Sequence, residues 1–344
     1  MKILIVSDAW HPQINGVVRT YEYLMAELTR MGHQIKVIGP SDFKYTFPLP
    51  GYSEIHLTVG AGKILRQMIR AYAPDLLHIA TEGPLGLAAR RYGLSHRVEF
   101  TSCYHTHFPD YAAKRAAKYL PFLYKPVQAL GIAYVRWFHR HASCLFVATP
   151  SLKQTLEQWG FTCPMKFMTR GIDADIFYPG SSPVMNDIPR PIALYVGRVA
   201  IEKSLPDFLD APWQGSKVVV GDGPDLNYLR VRYPDVHFVG KKTGKDLGDY
   251  YRNADIFAFP SRTDTFGMVI IEALACGVPV AAYPVTGPID IITEKFLGCL
   301  DKSLAKAMQS CLDTACLSEK KKRIDHITQH YSWHVAAQQF LEMS

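Results

Sequence analysis

The sequence has no apolar run that approaches the roughly 20 residues a bilayer-spanning helix needs, which excludes an internal membrane span. Its seven cysteines, at 103, 144, 163, 276, 299, 311 and 316, are odd in number and include no Cys-x-x-Cys pair. That excludes a disulfide framework and a cysteine zinc site, and the expected compartment is the reduced cytoplasm. The opening stretch from Met1 to Val6 is too short for a signal peptide and reads as a buried first strand. No Gly-x-Gly-x-x-Gly follows it, so the dinucleotide fingerprint of an oxidoreductase is missing. Low-complexity segments are absent too. Acid is missing from one long stretch: between Tyr111 and Leu156 there is no Asp or Glu, while Lys114, Arg115, Lys118, Lys125, Arg136, Arg140 and Lys153 occur there.

What is present is a strand-and-helix rhythm. Strand-like runs at Ile3 to Val6, Ile35 to Ile38, Leu76 to Ile79, Val98 to Thr101 and Leu145 to Ala148 alternate with helical patterns at Val18 to Arg30, Lys63 to Tyr72 and Leu85 to Arg91. The rhythm restarts after the polar, proline-rich stretch from Gly180 to Pro191, with strands expected at 192–196, 217–220, 236–239, 255–259, 279–282 and 298–300. Alternation of this kind predicts an α/β protein of parallel, doubly wound sheets, and 344 residues suit two such cores. The expected division is a first domain at 1–180 and a second at 181–330.

Chemistry-bearing residues gather where strands end. Residues 261–282 place Asp264 in a loop, Gly267 at the start of a short amphipathic helix, and Glu272 five residues further on. Glycine there lets backbone approach a ligand and leaves the N–H groups of the helix N-terminus for an anion. About 7.5 Å of helix rise then carries Glu272 away from Gly267, so that one carboxylate can meet a sugar and the other a ribose with a diphosphate between them. Alone, each carboxylate is equally an acid opposing the helix dipole or a surface Glu. Upstream, the apolar run ending at Gly197 is followed by Arg198 and Lys203, cations suited to a diphosphate at the carboxyl end of a strand. A second strand runs into Gly221-Asp222-Gly223, which by itself is only a tight turn.

Tyr195-Val-Gly-Arg198 with Glu202-Lys203, Val220-Gly-Asp-Gly-Pro224, and Pro260-Ser-Arg-Thr-Asp-Thr-Phe-Gly267 followed by Glu272-Ala and Gly277-Val-Pro-Val280 occur here in one order. Together they resemble the retaining glycosyltransferases of GT-B fold, a family that includes bacterial mannosyltransferases and the sulfoquinovosyl- and glycosyl-diacylglycerol synthases. Arg170-Gly-Ile-Asp173 and Phe177-Tyr-Pro179 match that family's interdomain segment, and Tyr331-Ser-Trp333 to Met343 its last helix, which returns to the first domain. The resemblance covers essentially the whole chain and implies two facing Rossmann-like domains. Where the family usually has Glu, this chain has Asp264, one methylene shorter.

The resemblance also distributes roles. Arg198, Lys203, Asp264 and Glu272 are expected to act on the donor, with Gly197, Gly221, Gly223, Thr265, Phe266 and Gly267 lining it. Asn15 and Gly16, in the loop after the first strand, are expected at the donor as well, although Asn15 also reads as a helix cap. His105 corresponds to the family's histidine beside the reacting sugar, with His107 and Tyr111 on the acceptor side. Two histidines at this spacing suggest zinc only with further ligands, and none has supporting spacing. Asp173-Ala-Asp175 matches a metal signature of the other glycosyltransferase fold, but its position in the interdomain segment speaks against that use. No metal and no cofactor are expected.

The implied function is transfer of a hexosyl or hexuronosyl unit, with retention, from a nucleoside-diphosphate sugar to an acceptor hydroxyl. A UDP-sugar and a diacylglycerol-type lipid are favoured. GDP-mannose with a lipid or polysaccharide acceptor is the alternative, followed by a sugar-nucleotide epimerase and a non-catalytic binding protein. Charge supports a membrane-facing acceptor side: residues 1–180 hold 20 Lys/Arg against 12 Asp/Glu, within a whole chain of net charge +7. The acid-free stretch interleaves its cations with Tyr119, Phe122, Tyr124, Tyr134, Trp137 and Phe138, a pattern suited to an anionic membrane surface or, more plainly, to a solvated helix face. The chain is therefore expected as a peripheral protein of the inner membrane face. No nucleic-acid module accompanies the charge, so nucleic acid is not an expected partner.

Overall fold

A computed structural model of the chain describes residues 1–344 except 14, 50–51, 315–318 and 343–344, so Cys316 and Met343 lie outside the described residues. In chain order the first elements are β1 (Lys2–Val6), α1 (Gly16–Arg30), β2 (Gln34–Ile38), β3 (Thr46–Leu49), β4 (Tyr52–Thr58), α2 (Gly62–Tyr72), β5 (Leu76–Ile79) and α3 (Pro84–His96). Then follow β6 (Phe100–Cys103), α4 (Phe108–Tyr119), α5 (Tyr124–His139), β7 (Cys144–Val147), α6 (Pro150–Gln158) and β8 (Met165–Phe167).

The second run is β9 (Ile192–Val196), α7 (Leu205–Leu209), β10 (Ser216–Val220), α8 (Leu226–Arg232), β11 (His237–Gly240), α9 (Gly244–Arg252), β12 (Ile256–Phe259) and α10 (Met268–Ala275). It ends with β13 (Val280–Ala282), α11 (Pro288–Ile291), β14 (Gly298–Leu300), α12 (Leu304–Thr314), α13 (Lys320–His330) and α14 (Trp333–Leu341). The chain forms two compact units. One comprises Met1–Pro109, Lys125–Arg170 and Trp333–Ser344, the other Asp110–Tyr124 and Gly171–Ser332.

Each unit is built on a six-stranded sheet in which every pairing is parallel, as the alternating pattern predicts. The first has the order β2-β1-β5-β6-β7-β8, and the second the doubly wound order β11-β10-β9-β12-β13-β14. Central strands are buried on both faces because helices cover them: β9 and β12 have no exposed residue, nor do β6 and β7. Three features go beyond the sequence reading, the first being β8, an unexpected sixth strand paired parallel with β7. β3 and β4 pair antiparallel as a separate hairpin, and β6 starts at Phe100 where Val98 was expected, because Val98 instead closes the C-terminus of α3 through its N–H to the Gly93 carbonyl.

In the first unit, α14 lies on α1, with Trp333 stacked on Tyr23 at 5.2 Å and Phe340 packed on Phe146 and His78. The start of α3 is held by a residue 75 positions upstream of its cap. Gly83 has no side chain to offer as N-cap, and the Asp8 carboxylate replaces it, accepting from the N–H groups of Leu85 at 2.9 Å and Gly86 at 3.2 Å. The Thr81 hydroxyl donates to the same carboxylate at 3.0 Å and accepts the Asp8 N–H at 2.7 Å. A side chain at Gly83 would collide with Asp8, so glycine and aspartate form one device. Burial pushes the Asp8 carboxyl up to about 6, against the lowering effect of the two backbone N–H bonds.

Asp8→Ala strips two buried helix N–H groups of their acceptor and is expected to destabilise the chain by about 1–3 kcal/mol in denaturant unfolding. An unchanged midpoint and slope would remove Asp8 from the capping role.

Candidate active site

The carboxyl ends of β9 and β12 are neighbours at the point where strand order reverses in the second sheet, the position at which open α/β sheets bind ligands. Gly197 and Arg198 follow β9, Lys203 sits on a 3-10 turn at Ile201–Lys203, and Asp264, Thr265, Phe266 and Gly267 follow β12. Parallel pairing therefore gathers residues separated by more than 60 positions. Lys203 Nζ lies 2.8 and 2.9 Å from the two oxygens of Asp264. Arg198 Nε lies 3.9 Å from Glu202, whose side chain is almost fully buried. Burial on its own lowers the Lys203 pKa, yet Asp264, followed by Tyr195 and Glu202, holds it above its usual value, so the ammonium stays charged.

Gly267 caps α10 with φ 92° and ψ 66°, a left-handed conformation that glycine adopts without strain, and no side chain caps the helix behind it. The first-turn N–H groups of α10 thus emerge at the same sheet edge as Arg198 and Lys203. Phe266 is buried with its ring edge on Tyr331, and Thr265 is half-buried beside it. Gly221 and Gly223 have a packing reason for being glycine. A Cβ on Gly221 would stand 1.8 Å from the Gly197 carbonyl, and one on Gly223 2.3 Å from that of Val199. The two strand-end turns thus touch backbone to backbone, with Gly197 N–H donating to Val220 and Val199 N–H to Asp222.

The helix carrying Glu272 is not amphipathic. Residues Ile270 to Ala275 are all buried, because α9 and α13 cover what would have been the solvent face. Glu272 accepts a 2.8 Å hydrogen bond from the Tyr251 hydroxyl and is 3% exposed, a buried carboxylate and not a surface one. The buried Arg323 of α13 anchors the far end of α10, donating to the carbonyls of Gly277 at 3.0 Å and Phe296 at 2.8 Å.

Two contributors escaped the sequence reading. Lys114, counted there among the cations of a basic face, is half-buried in the second unit, its Nζ 3.1 Å from the Thr263 hydroxyl and 3.4 Å from the Glu202 carbonyl. It is a third cation beside Asp264, and burial lowers its pKa. Tyr111 lies one turn before it on α4 and is half-buried. Arg262 fixes the loop that carries Asp264: its guanidinium donates to Asp207 at 3.0 and 3.2 Å and stacks 3.7 Å over Tyr283, whose hydroxyl also donates to Asp207. These partners are 55 and 76 positions apart in the chain, too far for any local pattern to reveal.

Of the remaining predicted residues, Asn15, Gly16, His105 and His107 belong to the first unit, in the loops that follow β1 and β6, and Asp173 to the second. Asn15 caps α1, its side-chain oxygen accepting from Val17 and Val18 at 3.0 and 3.1 Å. Gly16 is exposed, with open space where a Cβ would stand. His105, after β6, is half-buried between the Tyr21 hydroxyl and the Arg170 guanidinium. Burial, reinforced by Arg170, His78 and His139, holds it well below the usual histidine range. His107 is buried against the ring edges of Tyr104 and Trp159 and packs as an aromatic. Asp173 turns its carboxylate to the N–H of Asp175 at 3.0 Å, an Asx turn.

Models of two protein families match this chain: Glycosyltransferase Family 4 over residues 14–176 and Glycosyl transferases group 1 over residues 190–314. Each covers most of one of the two runs of strands and helices. The chain is a GT-B glycosyltransferase. Among relatives of this glycosyltransferase, a sulfoquinovosyl transferase of Arabidopsis thaliana is 27% identical over 85% of the chain and 61% of its own length. The chain thus spans about three-fifths of that plant relative. A GDP-mannose-dependent alpha-mannosyltransferase of Mycobacterium tuberculosis is 29% identical, covering 87% and 83% of the two chains. An alpha-monoglucosyldiacylglycerol synthase of Acholeplasma laidlawii is 26% identical over 81% and 79%. Among solved structures, sucrose-phosphate synthase from Thermosynechococcus elongatus superposes with a TM-score of 0.77 at 20% identity, covering 99% and 98%, which establishes the shared fold.

The glycosyltransferase should lose stability in mild acid. Burial pushes His78 down to about 3 and His105 well below its ordinary 6.5, so below pH 6.5 the unfolded chain takes up two protons that the folded one refuses. Asp8 acts in the opposite sense, since the folded carboxyl keeps its proton up to about pH 6 whereas an ordinary one releases it near 3.8. His326, lowered by burial, adds to the histidine side. The net expectation is a loss of at least about 1.4 kcal/mol per pH unit between pH 6 and 5. Denaturant midpoints measured across that range check it, and His78→Gln should flatten the slope by about one proton.

Proposed function

We propose that the chain transfers a hexosyl or hexuronosyl unit from a nucleoside-diphosphate sugar to a hydroxyl of a diacylglycerol-type lipid, with retention and without a metal. One observation carries this reading. Arg198, Lys203 and the uncapped N-terminus of α10 converge at one edge of the second sheet, a built place for a diphosphate. Lys203 and Asp264 hold one another there. The greater charge of a diphosphate draws Lys203 toward itself and leaves the Asp264 carboxylate to the sugar hydroxyls. Glu272 takes the ribose side, with Tyr251 fixing its carboxylate.

As the bond from the anomeric carbon to the phosphate oxygen breaks, charge builds on the leaving group, where the cations stabilise it more than in the ground state. The acceptor oxygen bonds to the same face of that carbon, and its proton passes to the departing phosphate oxygen. Cationic side chains supply the countercharge that a metal would otherwise bring. A UDP-sugar follows from the diacylglycerol-type resemblance, and GDP-mannose from the mannosyltransferase relatives. Thermal-shift panels of both nucleotide sugars separate them, since a ligand at 100 times its Kd stabilises by about 2.7 kcal/mol.

Arg198→Ala and Lys203→Ala should each lower kcat/KM roughly tenfold to a thousandfold, at about 1.4 kcal/mol per tenfold. Wild-type turnover in both variants would overturn the diphosphate assignment.

The lipid half of the proposal rests on the surface of α5. Lys125, Leu130, Arg136 and Trp137 of α5 and Arg140 just after its end are exposed, with cations at both ends and apolar groups between them, and Leu130 is 73% exposed. Among the described residues no helix is long and apolar enough to cross a membrane, so attachment through this face is peripheral. The chain should co-sediment with phosphatidylglycerol vesicles and not with purely zwitterionic ones. Salt should weaken that binding, since exposed charges are screened over about 8 Å at physiological strength. Combining Lys125→Glu, Arg136→Glu and Arg140→Glu should abolish it and spare nucleoside-diphosphate affinity. Sedimentation that ignored lipid charge and these substitutions would leave a soluble acceptor in place of the lipid.

A further inference from the structure

Four hydrogen bonds in the first unit form a chain whose direction is fixed at one end. The Arg170 guanidinium lies 3.3 Å from Nδ1 of His105, and Nε2 of His105 lies 2.8 Å from the Tyr21 hydroxyl. That hydroxyl is 2.7 Å from Nε2 of His78, whose Nδ1 is 2.8 Å from the Thr101 hydroxyl. A guanidinium can only donate, so Nδ1 of His105 accepts. Being neutral, the ring then carries its proton on Nε2 and donates it to the Tyr21 oxygen. Tyr21 has one proton, which goes to Nε2 of His78, a far stronger acceptor than the neutral sulfur of Cys103 on its other side. His78, neutral as well, must carry its own on Nδ1 and give it to Thr101. Reversing His105 would require the guanidinium to accept, and reversing His78 would leave the Tyr21 proton to the weakly accepting sulfur of Cys103. Cys103 lies against both Tyr21 and Arg170, and burial pushes its thiol up to about 11, so it remains protonated and brings no charge that could reverse the chain.

The groups come from five places in the unit: α1 gives Tyr21, β5 gives His78, β6 gives Thr101, the loop after it gives His105, and the segment after β8 gives Arg170. His78 is fully buried, and Arg170 is 3% exposed with Nη1 donating to the carbonyls of Met168 and Thr169. The donor at the head of the chain is thereby fixed in place.

We propose that Arg170, Tyr21 and His78 are positioning residues that lock His105 in its neutral Nε2–H tautomer and so exclude it from proton transfer in the glycosyl-transfer step. Its one lone pair is taken by Arg170 and its one N–H by Tyr21. So held, His105 has neither a lone pair nor a proton to offer as a base, and the acceptor's proton goes to the departing phosphate. The exclusion rests on the proposed transfer reaction, whereas the tautomer does not.

The test is long-range proton–nitrogen NMR of the full chain labelled with 15N-histidine, with His105→Asn and His78→Gln used to assign the two rings. Opposite tautomers are expected: a protonated Nε2 with bare Nδ1 in His105, and a protonated Nδ1 with bare Nε2 in His78. The same tautomer in both rings, or a protonated Nδ1 in His105, would overturn the lock. No donor is needed for this readout, so it stands or falls apart from the proposed function. Tyr21→Phe, which keeps the ring and removes the hydroxyl, should release the tautomer of His78 and lower kcat about tenfold or more while donor KM stays within about twofold. Tautomers as stated with an unchanged kcat in Tyr21→Phe would refute the positioning role. If wild-type chain transferred no sugar while the tautomers were as stated, the transfer reading would fail and the lock would remain.

Discussion

Parallel pairing is the constraint on which the rest depends. A strand that must run parallel to its neighbour cannot turn straight back, so each is followed by a crossover, and all strand ends of one sheet meet at one edge. In the second sheet this brings the turn after β9 against the turn after β10 and beside the loop after β12. Two of those turns touch through backbone alone at Gly221 and Gly223. Arg198, Lys203 and Asp264 are neighbours because the sheet is parallel, and the Lys203–Asp264 pair is held because Arg262, Asp207 and Tyr283 fix the loop behind it.

Concentrating polar groups at one edge of a buried sheet requires each to find a partner, since an unpaired buried polar group is costly. The molecule meets that demand with side chains that reach across elements. Asp8 serves the start of α3, Arg90 the end of α5 through the carbonyls of Trp137 and Phe138, and Arg323 the end of α10. The chain from Arg170 to Thr101 is the same solution applied to two histidines, and it decides their protonation as a consequence of packing.

Much of the fold was legible because its signals are local. Short apolar runs, alternating with helical patterns, sufficed for two parallel sheets, and most strands lie where the pattern put them. The antiparallel hairpin of β3 and β4 was not legible, because Thr46, Phe47 and Pro48 are all exposed and lack the alternation that marks a half-buried strand. Nor was the burial of α10. A pattern of Met, Val, Ile, Ile, Glu, Ala, Leu and Ala fits an amphipathic helix with Glu272 at its surface until α9 and α13 are seen to cover the other face.

The sequence by itself determined which residue types stand at the strand ends: glycines where backbones must touch, cations and a carboxylate around them, and a histidine after β6. These follow from short-range geometry, in which a motif and its structure occupy the same dozen residues. Only the tertiary structure decided what each group spends its bonds on. Glu272 is buried on Tyr251, Lys114 leaves the basic face for Thr263, and His105 is held between Tyr21 and Arg170. The physical reason is that hydrogen-bond partners 21 to 149 residues apart are chosen by the folded sheet and the helices packed on it, and nothing in a local pattern specifies them.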